Sequence, residues 1–83
     1  MARKQVGKVT HYFPKVGVAV VALKGVLNVG DNIEIERGGE LVLSQEVKSM
    51  QIEHKPLKSA KKGMEVGLKV DEEVKAGASV YLV

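Results

Sequence analysis

Val6-Gly7-Lys8-Val9-Thr10-His11-Tyr12-Phe13, then Pro14-Lys15, then Val16-Gly17-Val18-Ala19-Val20-Val21-Ala22-Leu23, is the stretch on which the fold turns. In its first half Gly7, Val9, His11 and Phe13 share one parity and Lys8, Thr10 and Tyr12 the other, the period of two that marks a strand with one wet face. Proline cannot donate inside a central strand, so Pro14-Lys15 separates two runs that read as neighbouring antiparallel strands. The second run is apolar on both parities. If Val18, Val20 and Ala22 face the core, then Ala19, Val21 and Leu23 form an outer apolar stripe, and a stripe of that kind marks a surface covered by a returning loop, a protein partner or a second copy of the chain.

Working outward, the same extended character persists. Lys24-Gly25 and Asn28-Val29-Gly30-Asp31-Asn32 are turn-rich, residues 32–36 alternate strictly, and Arg37-Gly38-Gly39-Glu40 turns again. Residues 41–52 form a long run whose parity slips, with Leu41, Leu43 and Val47 odd but Met50 and Ile52 even, which predicts a bulge or bend near Lys48-Ser49. Strands at 64–70 and 79–83 follow, separated by an acidic corner at Asp71-Glu72-Glu73 and a turn at Ala76-Gly77. Val, stiff at χ1 and suited to pleated surfaces, occurs fifteen times, and no helix of three turns is visible. Short strands without crossover helices predict an all-β fold, a small closed antiparallel β-barrel occupying residues 1–83 as a single domain.

The chain has 83 residues, 45% of them hydrophobic, and a net charge of +3 from 13 Lys+Arg and 10 Asp+Glu. That length holds one modest core and excludes a two-domain enzyme. With Cys 0, neither a disulfide nor a thiolate metal site exists, and a reducing, cytoplasmic setting is expected. No run approaches a membrane span, and Met1-Ala2-Arg3-Lys4-Gln5 lacks the apolar core of a signal peptide.

Catalytic patterns are missing. Gly25 and Gly30 have the spacing of a phosphate loop, but Asp31-Asn32 stand where its Lys and hydroxyl residue are needed. His11 and His54 are the only histidines, too few for a zinc site without distant carboxylates. Thr10 and His11 are strand neighbours with opposed side chains and cannot form a nucleophile–base pair, and Asp71, Glu72 and Glu73 read as a solvated corner. No catalytic residue, metal or cofactor is expected.

Charge distribution is the strongest positive signal. Residues 1–30 carry +5, residues 31–54 carry −4, residues 55–62 carry +4 and residues 63–83 carry −2. Two basic blocks can form one face if they meet in space, with each Lys contacting phosphate without reading sequence. The candidate RNA-binding residues are Lys8, Lys15, Lys55, Lys58, Lys61 and Lys62, with Tyr12, outward by parity, stacking on an exposed base.

Gly7-x-Val9, Gly17-Val18-Ala19-x-Val21, Gly25-x-Leu27-x-x-Gly30-Asp31-x-Ile33 and Ala60-x-x-Gly63-x-x-x-Gly67-Leu68 together resemble the second domain of translational GTPases of the elongation factor Tu and initiation factor class. The resemblance runs from about Val6 to Val83 and implies a small antiparallel barrel of that type. A similar barrel is appended to collagenase-like peptidases, and Ser49-Met50-Gln51-Ile52-x-His54 is nearer to that branch. The first resemblance implies that the regions holding Lys8 to Phe13 and His54 to Glu65 border one RNA-facing pocket. Val9 and Glu65 stand where that family carries an aromatic and an amide, so the implied contact is a generic one with transfer RNA or the ribosome. The expected function is therefore a non-enzymatic, translation-factor-like barrel binding structured RNA; the alternative is a protein-interaction module using Ala19, Val21 and Leu23.

Overall fold

The computed structural model describes residues 4–52 and 55–83; Arg3 and His54 lie outside the described residues. Ten strands run in the order β1 (Lys4–Phe13), β2 (Val18–Leu23), β3 (Leu27–Asn28), β4 (Asn32–Arg37), β5 (Glu40–Glu46), β6 (Met50–Ile52), β7 (Lys55–Leu57), β8 (Ser59–Ala60), β9 (Glu65–Lys69) and β10 (Ser79–Leu82). Among the described residues there is no helix, so none is long and apolar enough to cross a membrane. Eight strands form one sheet in the order β5-β4-β10-β1-β2-β9-β6-β7, every ladder antiparallel, and β3 pairs with β8 beside it.

The all-β class is as expected, but no ladder among the described residues joins β5 to β7, so the sheet is open rather than a closed barrel. The far end is poorly suited to further pairing, because β7 has three residues and its middle one is Pro56, which has no N–H to offer. Strands β3, β7 and β8 were not expected. Their runs of two or three residues are too short to show a period.

Strict alternation places Ile33 and Ile35 in the core with Glu34 and Glu36 on the other face of β4. The β4–β5 connection is a two-residue hairpin in which Arg37 pairs with Glu40 and both Gly38 (φ 63°) and Gly39 (φ 84°) are left-handed. Asn tolerates that conformation and has less freedom than Gly in the unfolded chain, so Gly38→Asn should raise stability by about 0.5 kcal/mol in chemical denaturation. A loss of stability would show that the turn is not of this type.

The expected bend near Lys48-Ser49 is present as a break between β5 and β6. There the chain bonds to the turn after β3 instead: Val47 N–H donates to Asp31 O (2.8 Å) and Gly30 N–H to Val47 O (2.9 Å). The Asp31 carboxylate in turn accepts the Asn28 N–H at 2.9 Å. The Gly25 to Asp31 element is thus a corner that buries Leu27 completely, with Gly30 at φ 97°.

Two bulges in β1 change the faces read from the sequence. Gln5 opposes Tyr81 while Gly7 opposes Val80, leaving Val6 extra; Val9 opposes Val21 while His11 opposes Val20, leaving Thr10 extra. The Thr10 hydroxyl donates to Val20 O at 3.3 Å. Beyond that bulge the parity reverses, so Tyr12 is half-buried against the core while His11 and Phe13 are exposed. The expectation of an outward Tyr12 is corrected accordingly.

The second strand is corrected in the same sense. It begins at Val18, not Val16, and Ala19, Val21 and Leu23 are buried in the core while Val18, Val20 and Ala22 take the outer face. Gly7 lets β1 approach this strand closely, since a Cβ there would stand 2.6 Å from Val21 Cγ1 and 2.9 Å from Ala22 O.

Candidate functional site

The inverted parity of β2 relocates the apolar outer stripe. Ala19, Val21 and Leu23 cannot serve as an interface because they fill the core, and the stripe that remains outside is Val18 and Val20. Beside it, on β9, Gly67 pairs with Val20 on one side and Gln51 on the other. With no side chain at Gly67, the outer face dips between β2 and β6 into an open groove of about 370 Å³.

Val18 and Val20 form one wall of this groove and Gln51 and Ile52 the other. Phe13 and Val16, from the end of β1 and the turn after it, extend the first wall and are 51% and 55% exposed. The groove is narrow at its floor: a Cβ on Gly67 would lie 3.0 Å from Val18 Cγ1 and 3.4 Å from Gln51 Cγ. Glu65 is the one charged residue of the lining. Lys69, two positions beyond Gly67 on the same face of β9, places its ammonium at the Val16 end of the groove, donating to Val16 O at 2.7 Å.

The basic residues are distributed around the sheet. Lys8 pairs with Ala22 near one end of β2, and the turn holding Lys61 and Lys62 bonds to Leu23 at that end, through Gly63 N–H to Leu23 O (3.0 Å) and Leu23 N–H to Met64 O (2.8 Å). Lys15 lies in the turn before Val18, at the other end of a six-residue strand roughly 17 Å long. Lys55 stands on β7 and Lys58 just after it, where Lys58 O accepts the Val29 N–H. The structure therefore brings Lys8, Lys61 and Lys62 to one end and leaves Lys15 at the other. Lys8 also sits in a row with acids at both ends, Glu36-Ser79-Lys8-Ala22-Glu65, each acid two strands away at about 10 Å, within the reach of its field.

Groups suited to catalysis do not assemble among the described residues. No three His, Asp or Glu side chains converge to hold a metal. The Thr10 hydroxyl is engaged with a backbone carbonyl, and Asp71 of the acidic corner pairs with Lys48 at 2.9 Å in an exposed salt bridge. Val16, Gln51 and Ile52 escaped the sequence reading. An isolated Gly67 inside a strand was the available signal, since such a glycine marks a hollow or a close approach.

No family model matches the chain. It is 40% identical over 79 residues, 95% of its length, to an uncharacterized protease of Methanocaldococcus jannaschii, of which the match covers 19%. It is 32% identical over 77 residues to a collagenase of Porphyromonas gingivalis, covering 92% of this chain and 21% of that protein. The chain thus spans about a fifth of the length of the curated relatives it matches. In fold it matches the C-terminal domain of a Geobacillus thermoleovorans protein named as a U32 peptidase, with TM-score 0.85 and 23% identity over 94% of this chain and 98% of that one. These relatives correct the expectation of a translation-factor-like, RNA-binding barrel: the shared sequence lies in proteins named as proteases and collagenases. Over nearly its whole length the chain is similar to a segment of collagenase-like proteins and, in fold, to the C-terminal domain of a U32 peptidase.

Proposed function

We propose that this chain is a non-catalytic accessory domain of a collagenase-like protease, a unit that works beside a catalytic part of different fold. The observation that carries the reading is the match of 95% of the chain onto only 19% of a protease at 40% identity. The described residues offer an apolar groove and exposed lysines, surfaces suited to binding beside a catalytic part. We also read the sheet as a barrel closed by side chains in place of a ladder, because the Gln45 amide on β5 bonds to Lys69 O and to Asp71 N–H beyond β9.

The test is direct. The purified chain, incubated with gelatin and casein, should release no new amino termini. Removing the matching segment from the Porphyromonas gingivalis collagenase should lower its turnover of gelatin more than its turnover of a short peptide. Hydrolysis that stays with the purified chain through successive columns would overturn the reading, as would a truncated collagenase with unchanged activity on both substrates.

A further inference from the structure

We infer that the Gly67 groove seats an extended polypeptide segment presenting a bulky aliphatic or aromatic side chain with Lys or Arg beside it. The choice of polypeptide rests on the accessory-domain reading; the side-chain preference rests on the groove itself. Phe13 and Val16 are more than half exposed and line the same hollow as Val18 and Val20, so an apolar side chain entering it desolvates both walls at once. Gly67 supplies the depth, because any side chain there would fill the floor against Val18 and Gln51.

Two polar groups border this apolar hollow, and each selects for something. The Gln51 side chain, half-buried on one wall, has no hydrogen-bond partner among the described residues and carries both a donor and an acceptor, which suits a passing peptide group. Glu65 is the sole charged residue of the lining and stands at one end of β9, while the Lys69 ammonium, bonded to Val16 O, stands at the other end of that strand. The Glu65 end of the hollow is thus complementary to a cation placed next to an apolar anchor, and it disfavours an acid there. Strands β2 and β9 are internal to the sheet with both edges paired, so recognition is by side chains and not by addition of a strand.

Amide NMR on the isotope-labelled chain tests this with two capped peptides, Gly-Gly-Leu-Arg-Gly and Gly-Gly-Leu-Glu-Gly. The Leu-Arg peptide should shift the amides of Val18, Val20, Gln51 and Gly67 with a Kd of about 1 mM, the range for one shallow anchor. The Leu-Glu peptide should bind about two- to fivefold more weakly, and Glu65→Gln should remove that difference, since an exposed charge pair is worth a factor of that size. Phe13→Ser, at an exposed position that leaves the core intact, should weaken both peptides. Shifts centred elsewhere, equal affinity for the two peptides, or a Phe13→Ser variant that binds as before would overturn the inference. So would groove amides that move on simple dilution of the chain, which would assign the hollow to a second copy. Intact peptide without shifts sinks the groove and spares the accessory reading, whereas cleaved peptide sinks the accessory reading.

Discussion

Leu68→Ala should lower the free energy of unfolding by about 2–5 kcal/mol, which is a large part of the roughly 4–12 kcal/mol expected of a domain this size. Leu68 is completely buried at the middle of a core-facing row that runs Tyr12-Ala19-Leu68-Met50-Leu57 across five strands. On one side its neighbour is Ala19, whose methyl group is too short and too fixed to move into the space left behind. On the other is Met50, whose unbranched thioether chain can swing into part of it, so the cost falls inside the range and not at its top. The melting temperature should drop by about 10–30 °C, and the midpoint of urea denaturation should fall without a change of slope. Val20→Ala, on the outer face, is the control: it should cost less than about 1 kcal/mol, because Val20 is half-exposed and leaves no closed cavity. Equal losses in the two variants would contradict the assignment of faces in β2 and β9.

That assignment is where reading the sequence and seeing the structure part company. Strand β4 was legible because Ile33 and Ile35 alternate with Glu34 and Glu36, and only one register hides the isoleucines. The break near Lys48-Ser49 was legible for the same reason, as a slip of parity from Val47 to Met50. Strand β2 was not legible in this way: Val18, Ala19, Val20, Val21, Ala22 and Leu23 are apolar on both faces, so the pattern carries no information about which face is inside. Its neighbour β1 could not settle the choice, because β1 carries two bulges. Each extra residue, Val6 and Thr10, transposes the faces beyond it, and neither has a turn residue to announce it. The exchanged faces of Tyr12 and Phe13 follow from the Thr10 bulge alone. The candidate groove inherits both errors, since its walls come from β2 and from the strand end past that bulge. Charge blocks misled for a different reason: the sum over a segment ignores that Lys8 faces two carboxylates across the sheet, whereas Lys15 lies a strand length from Lys61 and Lys62.

Gln45→Leu should destabilise the protein by about 2–4 kcal/mol even though it replaces a polar side chain with an apolar one of similar size. Gln45 lies on the core-facing parity of β5, next to Leu43 and Val47, and is the one polar side chain among the buried described residues, 9% exposed. Its Oε1 accepts the Asp71 N–H at 2.8 Å, while Nε2 donates to Lys69 O at 3.0 Å and to Glu46 O at 3.2 Å. These bonds tie β5, the terminal strand of the ladder order, to the end of β9 and the segment after it. Leu takes the side-chain partner from three main-chain groups, Asp71 N–H, Lys69 O and Glu46 O; each such loss costs up to about 1–3 kcal/mol, reduced at Asp71 and Glu46 by their access to water. The exposed Lys48–Asp71 pair nearby contributes at most about 1 kcal/mol and cannot hold the segment by itself. Gln45→Glu separates the bonds from the packing. An introduced carboxylate still accepts from Asp71 but meets Lys69 O without a proton to donate, so burial and that carbonyl raise its folded-state pKa above the unfolded value of about 4.3. The folded state then holds more protons than the unfolded one. The penalty is therefore absent below about pH 4, grows as pH rises to the raised pKa, and is constant above it. Urea denaturation at acid and neutral pH should show Gln45→Glu recovering toward the parent in acid while Gln45→Leu stays equally destabilised relative to it. Two variants that track each other at every pH would mean that side-chain volume, and not the amide bonds, holds β5 to the segment beyond β9.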